Sequence, residues 1–181
     1  MRRIALVVVA ALACLLTLSA SATAVTTTTR FQYHLEVPNV SEDSHGDRVA
    51  VTGSGTFSED PKSVTGGGSF THTFATGGSI TGSWTATELL EFQSYGCGVV
   101  RGNPIPANLC GGALKMRVSL TATVQGQTLT KEGILTIFCI IGPNPPNSHD
   151  DPTGEGITLD VPSLTNFNKI VHGMNVFIKQ P

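Results

Sequence analysis

The chain has 181 residues and a formal net charge of −2, and only 13% of its residues are charged, about half of the share that is usual in soluble domains. Acidic residues outnumber basic ones, and lysine and arginine form no cluster, which argues against a protein that binds nucleic acid. The length allows one domain with a substantial core. Because so few residues are charged, the polar surface must consist mainly of serine, threonine, asparagine and glutamine.

The N-terminal segment has the three parts of a secretory signal peptide. Two arginines precede an uncharged apolar run over 4–18, and small residues over 19–24 offer a cleavage site. The run is shorter than the ~20 residues that a membrane-spanning helix needs, although an uncleaved anchor and lipidation at Cys14 remain alternatives. We predict a signal peptide over 1–24 and a single all-β domain over 25–181, secreted and without stable membrane insertion of the mature chain. Cleavage would remove two of the 11 basic residues and none of the 13 acidic ones, which leaves a formal charge of −4.

Three cysteines remain after such cleavage, Cys97, Cys110 and Cys139. Export makes a disulfide plausible, and three cysteines allow one internal bridge. Cys97 and Cys110 flank a loop with two prolines and no strand pattern, and closing it would stabilise the fold by ~3 kcal/mol in the chain-entropy model. We therefore predict a disulfide between Cys97 and Cys110. No C-x-x-C pair is present, so the cysteines do not indicate a zinc or redox motif.

Apolar and polar residues alternate along most of the chain, which is typical of half-buried strands, and no stretch has the pattern of a long amphipathic helix. In chain order, the alternation predicts strands over 31–37, 49–57, 70–74, 80–92 and 115–124, a strand that follows residue 126 and reaches 141, and strands over 155–161, 167–171 and 174–179. Turns rich in glycine, proline and asparagine are predicted at 61–68, 96–113, 142–154 and 172–173. About nine short strands separated by such turns predict an all-β fold, an antiparallel β-sandwich or a β-barrel.

The clearest alternation lies at 115–124, where alternate residues share one apolar face: Met116, Val118, Leu120, Ala122 and Val124. Gln125 and Gly126 follow as a two-residue hairpin turn, since glycine readily takes the positive φ that such turns need. The turn fixes a register in which residue 124 pairs with 127 and residue 122 pairs with 129. This register points Cys139 into the core as a buried free thiol, and it places Lys131 opposite Leu120.

Three ionisable residues interrupt the inward faces of the predicted strands. His72 lies between two phenylalanines, Glu88 has the same parity as Trp84, and Lys131 falls in the inward set of the hairpin. An ionisable group in a dry core costs several kcal/mol unless it is paired. His72, Glu88 and Lys131 could therefore line a polar cavity and together bind a polar ligand or move a proton. The alternative is a β-bulge or a strand end near each of them, and nearby glycines are suitable bulge positions.

Motifs that identify a reaction are absent: the sequence has no G-x-S-x-G, H-E-x-x-H, P-loop, G-x-G-x-x-G or EF-hand loop. Two acidic loops, 42–47 and 149–155, each offer three carboxylates for calcium, but neither has a defined calcium-loop spacing. We therefore predict no metal site, no cofactor and no assigned catalytic residue. Asn39 begins an Asn-Val-Ser glycosylation sequon, which matters only in a eukaryotic source.

Three classes of function stay open for the domain. The first is a secreted binding or structural β-domain of unknown ligand, the second is a small-molecule-binding β-barrel with a polar interior, and the third is a small secreted hydrolase or cyclase that uses the same interior residues. We expect a binding or structural protein rather than an enzyme; its partner is unknown, and a small molecule and a glycan are the candidate ligands. A closed apolar pocket with one polar group would favour a binder, whereas an open cleft with a histidine–glutamate pair would favour an enzyme.

Overall fold

The computed structural model describes residues 28–145 and 154–181, so the predicted signal peptide over 1–24 and part of the predicted turn at 142–154 lie outside the described residues. The prediction of an all-β, antiparallel fold is confirmed. The strands in chain order are β1 (Arg30–Glu42), β2 (Arg48–Glu59), β3 (Lys62–Thr73), β4 (Ser79–Cys97), β5 (Val99–Val100), β6 (Asn103–Pro104), β7 (Leu109–Val124), β8 (Gln127–Cys139), β9 (Gly156–Val161), β10 (Thr165–Phe167), β11 (Lys169–His172) and β12 (Asn175–Lys179). No helix long and apolar enough to cross a membrane occurs in this part of the chain.

Ten strands form a sheet that closes on itself, nine of them along one path and the tenth, β11, beside it. Six of them make a ring in the order β1–β2–β3–β4–β7–β12, and neighbours in the ring are antiparallel. The ring closes because β7 is long: one of its edges pairs with β4, while along the other edge Leu109 and Cys110 pair with β12 and residues 112–124 pair with β8. From there β9 and β10 continue the sheet, and β11 pairs with β1 next to β12. β5 and β6 form a separate small hairpin.

The sheet curls so that its β9–β10 edge returns towards β1 and β3. The hydroxyl of Ser41 in β1 donates a hydrogen bond to the carbonyl of Ile157 in β9. The ring of Phe167 in β10 lies edge-on to that of His72 in β3, with 5.2 Å between ring centroids. These contacts bring the last strands of the path against the first ones, and they enclose the interior in which the candidate site lies.

The two ends of this interior are packed differently. One end holds four phenylalanines from four strands, Phe31, Phe57, Phe92 and Phe177. Phe57 lies among the other three, with ring centroids 4.9 Å from Phe31, 4.6 Å from Phe92 and 5.8 Å from Phe177, and only 1% of it is exposed. The opposite end contains a cavity. Dense packing at one end and free volume at the other are the main asymmetry of the domain.

The predicted hairpin at Gln125 and Gly126 is confirmed with its register. Both residues have positive φ, 51° and 78°, as a two-residue hairpin turn requires. Residue 124 pairs with 127 and residue 122 with 129, and Lys131 lies opposite Leu120. The inward direction of Cys139 is confirmed as well, because its thiol is free and fully buried.

The predicted turn at 61–68 is wrong, because the strand β3 runs through it. Gly55 in β2 pairs directly with Gly66 in β3, and the side chain of Tyr33 lies over both of them. A Cβ at Gly55 would come within 2.5 Å of the Tyr33 hydroxyl, and one at Gly66 within 2.3 Å. The glycines therefore mark a place where a large aromatic side chain covers the sheet, and they do not mark a loop.

Irregular pairing in β4 moves Glu88 to the outer face. The predicted alternation placed Glu88 on the side of Trp84, but the register shifts between Ala86 and Glu88. Leu89 then takes the next buried position, with 6% of it exposed. The prediction of an inward Glu88 is wrong, and the alternative of a β-bulge is confirmed at this position.

The number of strands also differs from the prediction of about nine. The predicted strand at 167–171 is two short strands, because β10 ends at Phe167, where it pairs with β9, and β11 begins at Lys169, where it pairs with β1. The predicted turn at 96–113 contains the two-residue strands β5 and β6, and β7 already begins at Leu109. Each difference lies where a segment changes its pairing partner, which alternation does not reveal.

The predicted disulfide is confirmed between Cys97 at the end of β4 and Cys110 near the start of β7. These two cysteines are also paired residues of neighbouring strands. Since Leu109 and Cys110 pair with β12 as well, the disulfide lies where β4, β7 and β12 meet. It therefore holds together the segment through which the ring closes.

Removal of the disulfide should destabilise the domain without changing its topology. We expect the double variant Cys97→Ala/Cys110→Ala to lose ~3 kcal/mol of unfolding free energy, because the unfolded chain regains the entropy of a closed loop of that length. Urea unfolding measured by tryptophan fluorescence tests this, with Cys139→Ala as the control for loss of a cysteine outside the bridge. Equal stability of the double variant and the wild type would contradict the expectation.

Candidate ligand-binding site

The cavity at the open end of the interior has a volume of about 280 Å³. Fourteen residues line it, and eleven of them are apolar. The apolar ones come from seven strands and one turn: Val49, Phe70, Ile80, Leu120, Ala122, Val124, Leu129, Leu159, Val161, Leu164 and Phe167. The polar ones are His72, Lys131 and Thr165. The structure thus brings together two of the three predicted site residues, His72 and Lys131.

Strand alternation explains why these side chains meet. Leu120 and Ala122 of β7 point to the interior, and their partners across the β7–β8 hairpin are Lys131 and Leu129. On the other side of β7, Ala122 faces Gly82 in β4, whose missing side chain leaves room for the ring of Phe70. The free volume therefore follows from small residues at the centre of a wall of larger ones.

The side chain of His72 in β3 is held in place by a carboxylate from the segment between β1 and β2. Its Nε2 lies 3.0 Å from Oδ2 of Asp47, the residue directly before β2, and both side chains are mostly buried. The second oxygen of Asp47 accepts the backbone N–H of Ala75 at 2.8 Å. The ring of His72 also packs against Phe74, with 4.4 Å between centroids. With Nε2 directed at Asp47, the Nδ1 atom of His72 is left for other partners.

Asp43 organises the β1–β2 turn and joins it to β10. One of its oxygens accepts the backbone N–H groups of His45 and Asp47 at 2.8 and 3.0 Å, and the other accepts the hydroxyl of Thr165 at 2.7 Å. Burial raises the pKa of Asp43, but the hydrogen bonds from Thr165, His45 and Asp47 outweigh this effect and hold the pKa below its ordinary value. A single turn therefore fixes both His72, through Asp47, and Thr165, through Asp43.

The stabilisation by Asp43 should depend on pH. Because its pKa is lowered in the folded state, the contribution of the carboxylate is present above the ordinary pKa of 3.8 and is lost as the pH falls through the folded-state value. We expect Asp43→Asn to be about 1–2 kcal/mol less stable than the wild type at pH 7, with a smaller difference in acid. Urea unfolding at several pH values measures this difference, and Glu132→Gln, at an exposed position of β8, is the control. A difference that stays constant from neutral pH into acid would contradict the ionic role of Asp43.

Lys131 is the remaining charged residue of the cavity wall. It lies in β8 before Ile134, the first residue of β8 that pairs with β9, so no strand of the described residues pairs with this edge of β8 at Lys131. Among residues 28–145 and 154–181, its ammonium group has no hydrogen bond and no ion pair. Its side chain is exposed, while its neighbour across the hairpin, Leu120, is 8% exposed. Lys131 therefore lies at the opening of the cavity.

Glu88, the third predicted site residue, is not part of the cavity. Its side chain is 57% exposed on the outer face of β4, and its Oε2 accepts a hydrogen bond from Nε of Arg117 at 3.0 Å. The expectation that Glu88 shares an interior with His72 and Lys131 is therefore wrong, for the reason given by the bulge in β4. The carboxylate beside His72 is that of Asp47.

Two exposed leucines border the opening. Leu129 is 47% exposed and Leu164 is 67% exposed, and both line the cavity. They are two of the three large apolar residues that are exposed in the described part of the chain. Exposed apolar groups around a pocket are typical of sites where an apolar ligand binds.

A second polar cluster lies away from the cavity wall and has a structural character. The side-chain amide of Asn175 donates to Oδ1 of Asn39 at 2.9 Å and to the carbonyls of Phe138 and Gly156. The thiol of Cys139 donates to the carbonyl of Asn175 at 3.0 Å, and burial raises the pKa of that thiol to about 12, so that it stays protonated. Asn39 is fully buried, so a glycan on this sequon would not fit the folded domain.

Sequence reasoning missed Asp43, Asp47 and Thr165 as neighbours of the cavity. Asp43 and Asp47 were visible as part of an acidic loop, but their nearness to β3 and β10 depends on how the sheet curls. In the described residues, no group of three or more metal-ligating side chains could hold a metal ion. The chain shows no significant similarity to a protein family model, a curated protein or a solved structure. Any function must therefore be argued from the cavity itself.

Proposed function

We propose that the protein is exported and that its domain binds a small, mostly apolar molecule in the cavity. The observation that carries this proposal is a cavity whose wall is almost entirely apolar and which opens between two exposed leucines, Leu129 and Leu164. Burial of apolar ligand surface against such a wall supplies the free energy of binding, at ~25 cal/mol per Å². The apolar wall favours the second class of function, small-molecule binding, over a glycan ligand, whose many hydroxyls would lose their hydrogen bonds to water.

The size of the cavity limits the ligand. The cavity has a volume of about 280 Å³. This volume is close to the lower end of the ~300–1,000 Å³ that is usual for ligand pockets. A medium-length alkyl chain or a small bicyclic ring system fits this limit, whereas a sterol would extend far into the solvent.

A titration with octan-1-ol tests the proposal, because this neutral probe has a size that matches the cavity. Methyl signals in a two-dimensional NMR spectrum should shift in a saturable way at the cavity wall, for example at Ala122 and Val161, and should stay unchanged near Phe57. Absence of saturable shifts up to the solubility limit of octan-1-ol would contradict the proposal. Shifts that centre on the Phe57 end would contradict the location.

Catalysis is a second candidate function, favoured by the pair of Asp47 and His72. A histidine oriented by a carboxylate is suited to act as a general base. Hydrolysis of a p-nitrophenyl octanoate ester, abolished in His72→Gln and in Asp47→Asn, would favour an esterase. Equal hydrolysis rates in the wild type and both variants would exclude a role of the pair in this reaction.

Export is supported by the N-terminal sequence and is compatible with the disulfide, since such bonds persist mainly in oxidising compartments. Mass spectrometry of the protein recovered from the medium of an expressing culture tests this part of the proposal. A mature N-terminus at Val25 is expected. Recovery only in the cell fraction, with Met1 retained, would contradict it.

A further inference from the structure

We propose that the ligand of the cavity is an anionic amphiphile, an alkyl or aryl carboxylate whose head group binds Lys131 at the opening while its apolar part fills the interior. This inference rests on the proposed function, since it names the chemical class of the molecule that the cavity binds. It is carried by the position of an ammonium group that has no partner among the described residues, in a wall where eleven of fourteen residues are apolar.

Charges around the cavity favour an anion over a cation. The carboxylate of Asp47 already accepts hydrogen bonds from His72 and from the N–H of Ala75. Asp43 accepts three hydrogen bonds from the turn and from Thr165. Each carboxylate oxygen of Asp43 and Asp47 thus has its donor, whereas Lys131 has no partner among the described residues. The charge that lacks a counterpart is therefore positive, which favours an anionic ligand.

The position of Lys131 sets the orientation of the ligand. In the described part of the chain, no strand pairs with β8 on this side of Lys131, because pairing with β9 begins only at Ile134. The deep wall of the cavity is formed by fully or nearly buried residues such as Val49, Leu159 and Phe167, which are 1–2% exposed. A head group at Lys131 and a tail among these residues match the two environments, because the ammonium group lies at the exposed opening and can donate a charge-assisted hydrogen bond to a carboxylate there.

The competing explanation is that Lys131 only covers apolar surface with its methylene groups while its ammonium points to water. In that case a carboxylate would bind no better than the corresponding alcohol. Octanoate, octan-1-ol and octylammonium have the same tail and differ only in the head group. They therefore separate recognition of the charge from burial of the tail.

The test measures the dissociation constants of these three probes at pH 7 by NMR or calorimetric titration, for the wild type, Lys131→Met and Lys115→Met. Lys115 is the matched control, because it is exposed on the outer face of β7 in the same sheet. We expect octanoate to bind the wild type about tenfold more tightly than octan-1-ol, which corresponds to ~1.4 kcal/mol. Lys131→Met should remove this difference, so that octanoate and octan-1-ol bind the variant with similar affinity, and Lys115→Met should preserve it.

The outcomes distinguish the two proposals. If octan-1-ol binds and octanoate binds no better, or if octylammonium binds best, the anionic head group is wrong while the apolar binding site stands. If Lys131→Met weakens octan-1-ol and octanoate equally, Lys131 contributes packing only, and the inference fails. If none of the three probes binds, the proposed function itself fails.

Discussion

Replacement of Phe57 by alanine should lower the unfolding free energy by ~3–5 kcal/mol, the largest effect expected for a single core substitution. Phe57 is 1% exposed, and its ring contacts Phe31, Phe92 and Phe177. Its removal would leave a void among three rigid rings from three further strands, which cannot easily move together. Loss of apolar burial and the cost of an empty cavity therefore add up.

Phe70→Ala is the matched comparison, because it deletes the same side chain at the other end of the interior. Phe70 is partly exposed and already borders the cavity. Its removal widens an existing space and creates no new one, so we expect a loss of only ~1–2 kcal/mol. Guanidinium unfolding of both variants measures the difference. Equal losses would contradict the view that one end of the interior is tightly packed and the other is built to stay open.

The alternation of apolar and polar residues predicted the strands well where each strand pairs with a segment that is close to it in sequence. The hairpin at Gln125 and Gly126 is the best case, because a two-residue turn fixes every pair along both strands. The disulfide between Cys97 and Cys110 followed from an equally short-range argument, the count of cysteines and the loop between them. Such features depend on chain segments that are close in sequence.

The errors arose where distant segments decide the structure. Gly66 looks like a loop residue until it is known that Tyr33 covers it. Alternation assigned the faces of β4 correctly up to Ala86. A bulge before Glu88 then reverses which residues point inward, and nothing in the composition marks this change. The closure of the sheet likewise depends on β7 pairing with three strands, and no residue of β7 indicates this by itself.

The candidate site was predicted in part for the same reason. His72 and Lys131 interrupt an apolar alternation, and this signal was sufficient to place both at the cavity. The partner of His72 was not accessible in this way, because Asp47 is 25 residues away and reaches it only once β2 pairs with β3. The apolar character of the cavity also differs from the polar interior that three ionisable residues suggested, since two of them lie in a wall of eleven apolar residues.

Filling the cavity should abolish ligand binding while the domain stays folded. Ala122 lies in the middle of the wall, between Gly82 of β4 and Leu129 of β8. In the variant Ala122→Phe, the added ring would take up a large part of the volume of about 280 Å³ that a ligand needs. We expect the affinity for octan-1-ol and octanoate to fall by at least about 100-fold, which corresponds to ~2.7 kcal/mol or more. Because the ring enters free space, stability should change by less than the ~1–3 kcal/mol typical of overpacked cores.

Thr123→Phe is the control, because it adds the same ring to the neighbouring residue on the exposed outer face of β7. It should leave the affinity for both probes within about twofold, since a difference of that size is well under ~1 kcal/mol. If Ala122→Phe binds the probes as tightly as the wild type, the ligand does not occupy the cavity, and the proposed site is wrong. If Thr123→Phe loses binding to the same degree, the effect comes from disturbance of β7, and occupation of the cavity is not its cause. Loss of binding confined to Ala122→Phe, with an unchanged unfolding transition, would mean that the free volume is the binding site and is not a packing defect of the sheet.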